Sequence, residues 1–236
     1  MQAASSASRP DGPTSGRAVS RQVLADHVYQ ELLASLMDGR LQPGASVSID
    51  GTARDLDVSP TPVREALARL EHTGMVRRVA LKGYRVAPVF TREDFAELME
   101  ARLAIEPVNA RLACARLTPE HLAELEQAVA DLKKAPRGPS FAEYRDYLEA
   151  DERFHRLIAR QSGNQFMVAA YEALGGQIQR FRLFAGAGIT DAEYAIAEHQ
   201  AVLDAFVSGD PGQAAAAMAE HVQKVRGRSI AAAPVE

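Results

Sequence analysis

Val58-Ser-Pro-Thr-Pro-Val-Arg-Glu-Ala-Leu-Ala-Arg-Leu-Glu-His-Thr-Gly-Met-Val76 reads as a tight turn feeding a short helix. Pro62 suits the first turn of a helix, where its missing N–H is no loss, and Ser59 or Thr61 can cap the free amides. Val63, Ala66, Leu67 and Leu70 fall on one face at helical spacing, which leaves Arg64 and Arg69 on other faces. Gly74 stops the helix. A short helix delivered by a tight turn, with cations on its open side, is the reading part of a helix-turn-helix. An ordinary amphipathic surface helix would carry the same residues.

The flanking sequence weighs between these alternatives. Downstream, Met75 to Val86 holds two short β-prone runs around Lys82-Gly83, a hairpin with a basic turn. Upstream, Val19 to Met37 carries Val23, Val28, Leu32, Leu33 and Leu36 as a helix-period stripe, and Asp50 to Leu56 suits a short second helix. Helix, helix, turn, basic helix, basic hairpin is the order of a winged helix-turn-helix. Residues 60–90 hold six Lys/Arg against two acids, whereas the whole chain has a net charge of −4. A basic patch on an acidic background is the electrostatic footprint of a nucleic-acid contact.

The 236 residues, 47% of them hydrophobic, can bury two modest cores. The single cysteine, Cys114, permits no intrachain disulfide and fits a reducing compartment. No run of eighteen apolar residues occurs, so no membrane span is expected, and the first eighteen residues carry no signal-peptide pattern. A seam is expected at Ala87-Pro-Val-Phe-Thr91, with Thr91 as the cap of the helix that follows. Helical periodicity then predicts helices over about 92–115, 119–134, 140–161, 165–186, 190–207 and 211–231, separated by Pro- and Gly-containing breaks. Pro107 is expected to kink the first of them. Residues 1–90 carry 11 basic and 9 acidic side chains, and residues 91–236 carry 16 and 22. The expected fold is therefore mainly α. A disordered tail (1–18) precedes a winged helix-turn-helix (19–88) and an all-α antiparallel helical bundle (89–232).

Within the bundle, Asp151 and His155 are four apart on one helix and share a face. His199 and His221 lie on two later helices, and an antiparallel bundle brings such side chains to its interior. One carboxylate and three imidazoles suit a borderline divalent ion such as Zn²⁺, Ni²⁺, Mn²⁺ or Fe²⁺. The same spacing also arises by chance in helices that bind nothing. His27, His72 and His121 have no such company, and Phe154, Phe166, Phe181 and Phe184 read as core.

Thr61-Pro-Val-Arg-Glu-Ala-Leu67, followed by Leu70-Glu and Gly74-Met-Val76, closely resembles the DNA-binding domain of GntR-family bacterial transcription regulators over about residues 19–88. The DNA-contacting residues expected are Ser59, Thr61, Arg64 and Arg69 of the turn and helix, with Lys82 and Gly83 of the wing. One departure concerns Pro60, where much of the family has an Arg that reaches a guanine edge. Pro60 cannot donate that hydrogen bond, so operator preference does not carry over from such relatives. The C-terminal half is similar to the helical effector (FCD) domain of the FadR-type branch, through Asp151-Glu-Arg-Phe-His155, Ser162-Gly-Asn164, Glu198-His199 and Met218-Ala-Glu-His221. The resemblance implies that Asp151, His155, His199 and His221 are metal ligands. Arg102, in Glu100-Ala-Arg-Leu-Ala-Ile-Glu106, is expected with Asn164 to bind a small carboxylate effector, because a guanidinium beside a metal suits a carboxylate. The alternatives are a surface Arg102 paired with Glu106 and a capping Asn164.

The function expected is a cytoplasmic, nucleoid-associated, homodimeric repressor of operator DNA, released by an organic acid bound at the metal. A direct metal sensor or structural-metal regulator would use the same ligands. A metal-dependent enzyme is disfavoured, because the chain has no His-Glu-x-x-His, no nucleophile elbow and no separately motivated general base.

Overall fold

The computed structural model describes residues 15–138, 140–184 and 191–232, with side chains described outside 15–21, 179–184 and 229–232. The expected tail at 1–14 and the ends of two predicted helices at 185–190 lie outside the described residues, as do the side chains of Phe181 and Phe184.

The N-terminal unit contains α1 (Ser15–Met37), β1 (Ser46–Val47), α2 (Ile49–Asp55), α3 (Pro60–His72), β2 (Val76–Val79) and β3 (Gly83–Val86). Helix α1 takes in the last four residues of the expected tail, because Arg17 and Ala18 are good helix formers with no proline after Pro13 to stop them. Its buried face runs through Ala25, Val28, Leu32, Leu33 and Leu36, while Val23 of the predicted stripe is 61% exposed. The turn between α2 and α3 has Asp57 at φ +50°, a conformation that aspartate tolerates better than most residues. Pro60 then occupies the first position of α3, and Ser59 is its N-cap residue. Val63, Ala66, Leu67 and Leu70 are fully buried, as their spacing predicts. Gly74, at φ +74°, turns the chain into β2.

The hairpin is part of a sheet of three strands in the order β1-β3-β2, all antiparallel, with Arg77 opposite Arg85 and Val47 opposite Tyr84. Strand β1 was not legible in the sequence, since two residues carry no periodicity.

The remaining helices are α4 (Arg92–Cys114), α5 (Pro119–Lys134), α6 (Phe141–Gln161), α7 (Gln165–Phe184), α8 (Ala192–Ser208) and α9 (Pro211–Ala232). Thr91 and Asp94 form a reciprocal capping box at the start of α4. Helix α4 continues through Pro107 without a break and packs along α9. The bundle core gathers Phe95, Met99, Leu125, Phe154, Ile158, Val202, Phe206 and Met218. Phe166, expected in the core, is 77% exposed at the first turn of α7.

The two units share one apolar cluster: Leu32, Leu36 and Leu70 of the first join Phe141, Tyr144 and Leu148 of α6. Asp38 at the end of α1 accepts a hydrogen bond from the backbone N–H of Phe141 at 2.8 Å. Helix α7 comes closer still. A Cβ added to Gly176 would lie 2.5 Å from the Cα of Thr73, so only glycine permits this approach to the end of α3.

Candidate metal centre and nucleic-acid interface

Asp151 and His155 project from α6, His199 from α8 and His221 from α9, and all four are buried. The three histidines each offer a ring nitrogen within 4.8 Å of the others. His155 Nε2 and His199 Nε2 are 3.2 Å apart, and Asp151 Oδ1 is 3.4 Å from His199 Nε2. Two imidazole nitrogens on one Zn²⁺ at its usual bond lengths would be separated by about 3.4 Å.

The outer nitrogens explain why the inner ones face each other. His199 Nδ1 donates to the carbonyl of Ala195 at 2.6 Å, which can only accept, so its Nε2 carries the lone pair. His155 Nδ1 lies 2.8 Å from Glu106 Oε2, off the line of an ideal hydrogen bond. His221 Nδ1 lies 3.0 Å from Glu198 Oε2, and Glu198 is itself held by Arg228 at 2.5 and 3.0 Å. For His199 and His221 the outer acceptor fixes the tautomer and turns Nε2 inward, the arrangement that metal-ligating histidines use. His155 Nε2 and His199 Nε2, 3.2 Å apart, can share a proton or be bridged by a metal ion. The donor set therefore fits a divalent transition metal.

The electrostatics agree. Burial, reinforced by neighbouring His221, holds His199 at about 3, so it stays neutral and able to ligate. Burial also lowers His221. Burial pushes Glu198 up, but hydrogen bonds from His221 and Arg228 outweigh it and hold the carboxyl at about 2. Glu106 is likewise well below the usual carboxylate range: its burial is more than offset by Arg102 and His155.

Arg102 is buried on α4 and gives Nε to Glu106 Oε1 at 2.5 Å and Nη2 to Oε2 at 3.3 Å. The pair with Glu106 foreseen on the surface forms, but inside the bundle. Beside it is a chamber of about 20 Å³ lined by Arg102, Asp151, His155 and Tyr171, among others. Asn164 does not join this site. It is exposed, and its Oδ1 accepts the amides of Phe166 at 3.0 Å and Met167 at 3.3 Å as the cap of α7. The capping role, one of the two alternatives for Asn164, is the one its hydrogen bonds display.

Sequence reasoning missed Glu106 as a partner of His155, and Glu198 and Arg228 as supports of His221. The signal was partial: Glu106 stands four after Arg102 and Glu198 immediately precedes His199, yet Glu198 serves a histidine on another helix.

In the N-terminal unit, Ser59, Thr61 and Arg64 are exposed around the first turns of α3, and Lys82 and Gly83 are exposed at the tip of the β2–β3 hairpin. The Ser59 hydroxyl makes no capping hydrogen bond. Arg69 behaves otherwise. Its Nη1 lies 2.5 Å from Asp26 Oδ1, and its guanidinium stacks 4.1 Å from the Tyr29 ring centroid, both on α1. Five residues beyond Arg64 the helix has turned this side chain toward α1, so Arg69 ties two helices together while 43% of its side chain stays exposed.

Comparisons with known proteins address both units. Residues 97–224 match the FCD domain, and residues 24–86 match the bacterial regulatory proteins of the gntR family. The chain is 29% identical over 204 residues to a probable D-xylose utilization operon transcriptional repressor of Paenarthrobacter nicotinovorans, covering 86% of this chain and 88% of that one. The solved structure of E. coli McbR/YncC superposes with a TM-score of 0.68 at 24% identity, covering 87% and 96% of the two chains. A GntR-type regulator from Rhodococcus sp. RHA1 gives 0.66 at 20% identity, covering 89% and 99%. Both structures share the fold.

Proposed function

We propose a mechanism for a chain that belongs to the GntR family of bacterial transcription regulators and carries the FCD domain: a DNA-binding repressor, dimeric and cytoplasmic, released by a carboxylate at a metal centre. Asp151, His155, His199 and His221 hold the metal, with Glu106, the Ala195 carbonyl and Glu198 orienting the three rings. The ion, when bound, offers a Lewis-acidic position to a carboxylate oxygen. Arg102, which lines the chamber, pairs with the same carboxylate, and Tyr171 and Leu148 exclude water around it. DNA binding rests on Ser59, Thr61 and Arg64 of α3 and on Lys82 and Gly83 of the wing. A two-fold dimer would present two copies of α3 to the halves of a palindrome.

The observation that carries this reading is the inward convergence of three buried imidazoles, each with an acceptor oxygen close to its outer nitrogen. Its test is a melting experiment on the full-length protein. A divalent metal raises the melting temperature, organic acids raise it further in the metal-loaded protein, and Arg102→Lys abolishes the second increment by removing the bidentate fork. No increment from any acid would remove the effector from the mechanism.

One observation favours a second reading, in which the ion itself is the signal. Arg102 is already paired with Glu106, and the chamber has room for about one water. On that reading metal alone changes DNA affinity, and acids add nothing.

A further inference from the structure

Two cavities adjoin in this molecule. The chamber beside the imidazoles encloses about 20 Å³, whereas a cleft of about 500 Å³ lies between the DNA-binding unit and the bundle. Leu148, Glu152, Tyr171 and Gly175 line both, so the two spaces share a wall. The chamber takes a water-sized group, while the cleft falls in the range of roughly 300–1,000 Å³ of ordinary ligand pockets. A site that begins at the metal and Arg102 therefore has its free volume on the far side of this wall.

The opposite side of the cleft is built by the DNA-binding unit: Tyr29, Gln30 and Leu33 of α1, and His72 and Thr73 at the end of α3. Among the described residues, Gln30 Oε1 is buried and has no hydrogen-bond partner. A buried acceptor without a donor is unfavourable, and a bound donor would relieve it. Helix α7 lines the chamber through Tyr171, Gly175 and Ile178, and at Gly176 its backbone rests against Thr73 with no side chain between.

We infer that the effector is a carboxylic acid with an extended body. One carboxylate oxygen enters the chamber toward Arg102 and the metal, and a partly apolar body bearing a hydrogen-bond donor fills the cleft against Gln30 and the end of α3. The inference rests on the effector reading above. A ligand in this position touches the reader and the sensor at once. It binds tightly to one spacing of the two units only, and that difference in affinity is what shifts the protein between states.

Calorimetric titration of Zn²⁺-loaded, full-length protein tests this with three probes: acetate, 3-phenylpropanoate and 3-(4-hydroxyphenyl)propanoate. The hydroxylated acid is expected to bind at least about 10-fold more tightly than acetate, from apolar burial in the cleft. The phenyl acid without the hydroxyl falls between them. Gln30→Met removes the acceptor with little change of shape, and should cut the advantage of the hydroxylated acid about 5-fold while leaving acetate unchanged. Arg102→Lys weakens all three. Acetate binding with no gain from the longer acids, or a hydroxyl advantage that survives Gln30→Met, overturns the extended body and leaves the carboxylate site standing. Binding of none of the three removes the carboxylate site and this inference together.

Discussion

The DNA-binding unit keeps its working charges on the surface, whereas the helical bundle keeps them inside. Arg64, Arg77, Arg78 and Lys82 are exposed. Arg102, Glu106, Asp151, His155, His199 and His221 are all buried, each with polar partners close by. The difference matches what each region is proposed to recognise. A phosphate backbone is met in water, where exposed cations gain affinity by releasing counterions and contribute little to folding. A small ion or acid is held where the dielectric is low, so every group around it has to be satisfied before the ligand arrives. One side chain crosses the divide: Arg69, a surface cation of the reading helix, works as an internal tie to Asp26 and Tyr29.

The comparison predicts a gradient of effects. The largest is expected for Glu106→Ala, which leaves Arg102 buried without its partner and should cost about 3–5 kcal/mol of stability. Denaturant unfolding measures it, and an unchanged midpoint would break the contrast between the regions. Next is Glu198→Gln, which weakens the acceptor of His221 Nδ1 and should lower metal affinity by about 10–100-fold, read by competition with a chelating dye. Arg64→Ala should weaken operator binding by about 1–3 kcal/mol with the melting temperature unchanged, as seen by anisotropy and calorimetry on one sample. Lys82→Ala should lower the salt slope of binding by about one. The smallest change is expected for Arg69→Ala: stability falls by about 1 kcal/mol or less, and DNA affinity is retained. If Arg69→Ala instead weakens DNA binding as much as Arg64→Ala, its assignment as a tie fails.

The helices from α4 onward were legible almost to the residue, because their ends carry strong local signals. Thr91 with Asp94, Thr118-Pro119 and Gly209 each set a boundary by cap chemistry or a positive φ. The burial of Val63, Ala66, Leu67 and Leu70 was equally legible from spacing. Legibility fell where the cause was distant. The motif around Asn164 leaves a ligand contact and a helix cap open, and the structure shows its Oδ1 accepting the amides of Phe166 and Met167. Phe166 is apolar, yet the first turn of α7 turns it to solvent.

The sequence by itself determined the order of elements, the placement of a basic hairpin behind a basic helix, and the four candidate ligands. Those features are written in local spacing, charge and turn chemistry, which act over a few residues. Only the tertiary structure decided which carboxylates stand behind His155 and His221, because Glu106 approaches the site from α4 and Glu198 from α8. It also decided that α7 reaches the end of α3 through Gly176, and that a cleft opens between the two units. Such contacts join residues tens to more than a hundred positions apart, and no local pattern encodes a distance across the core.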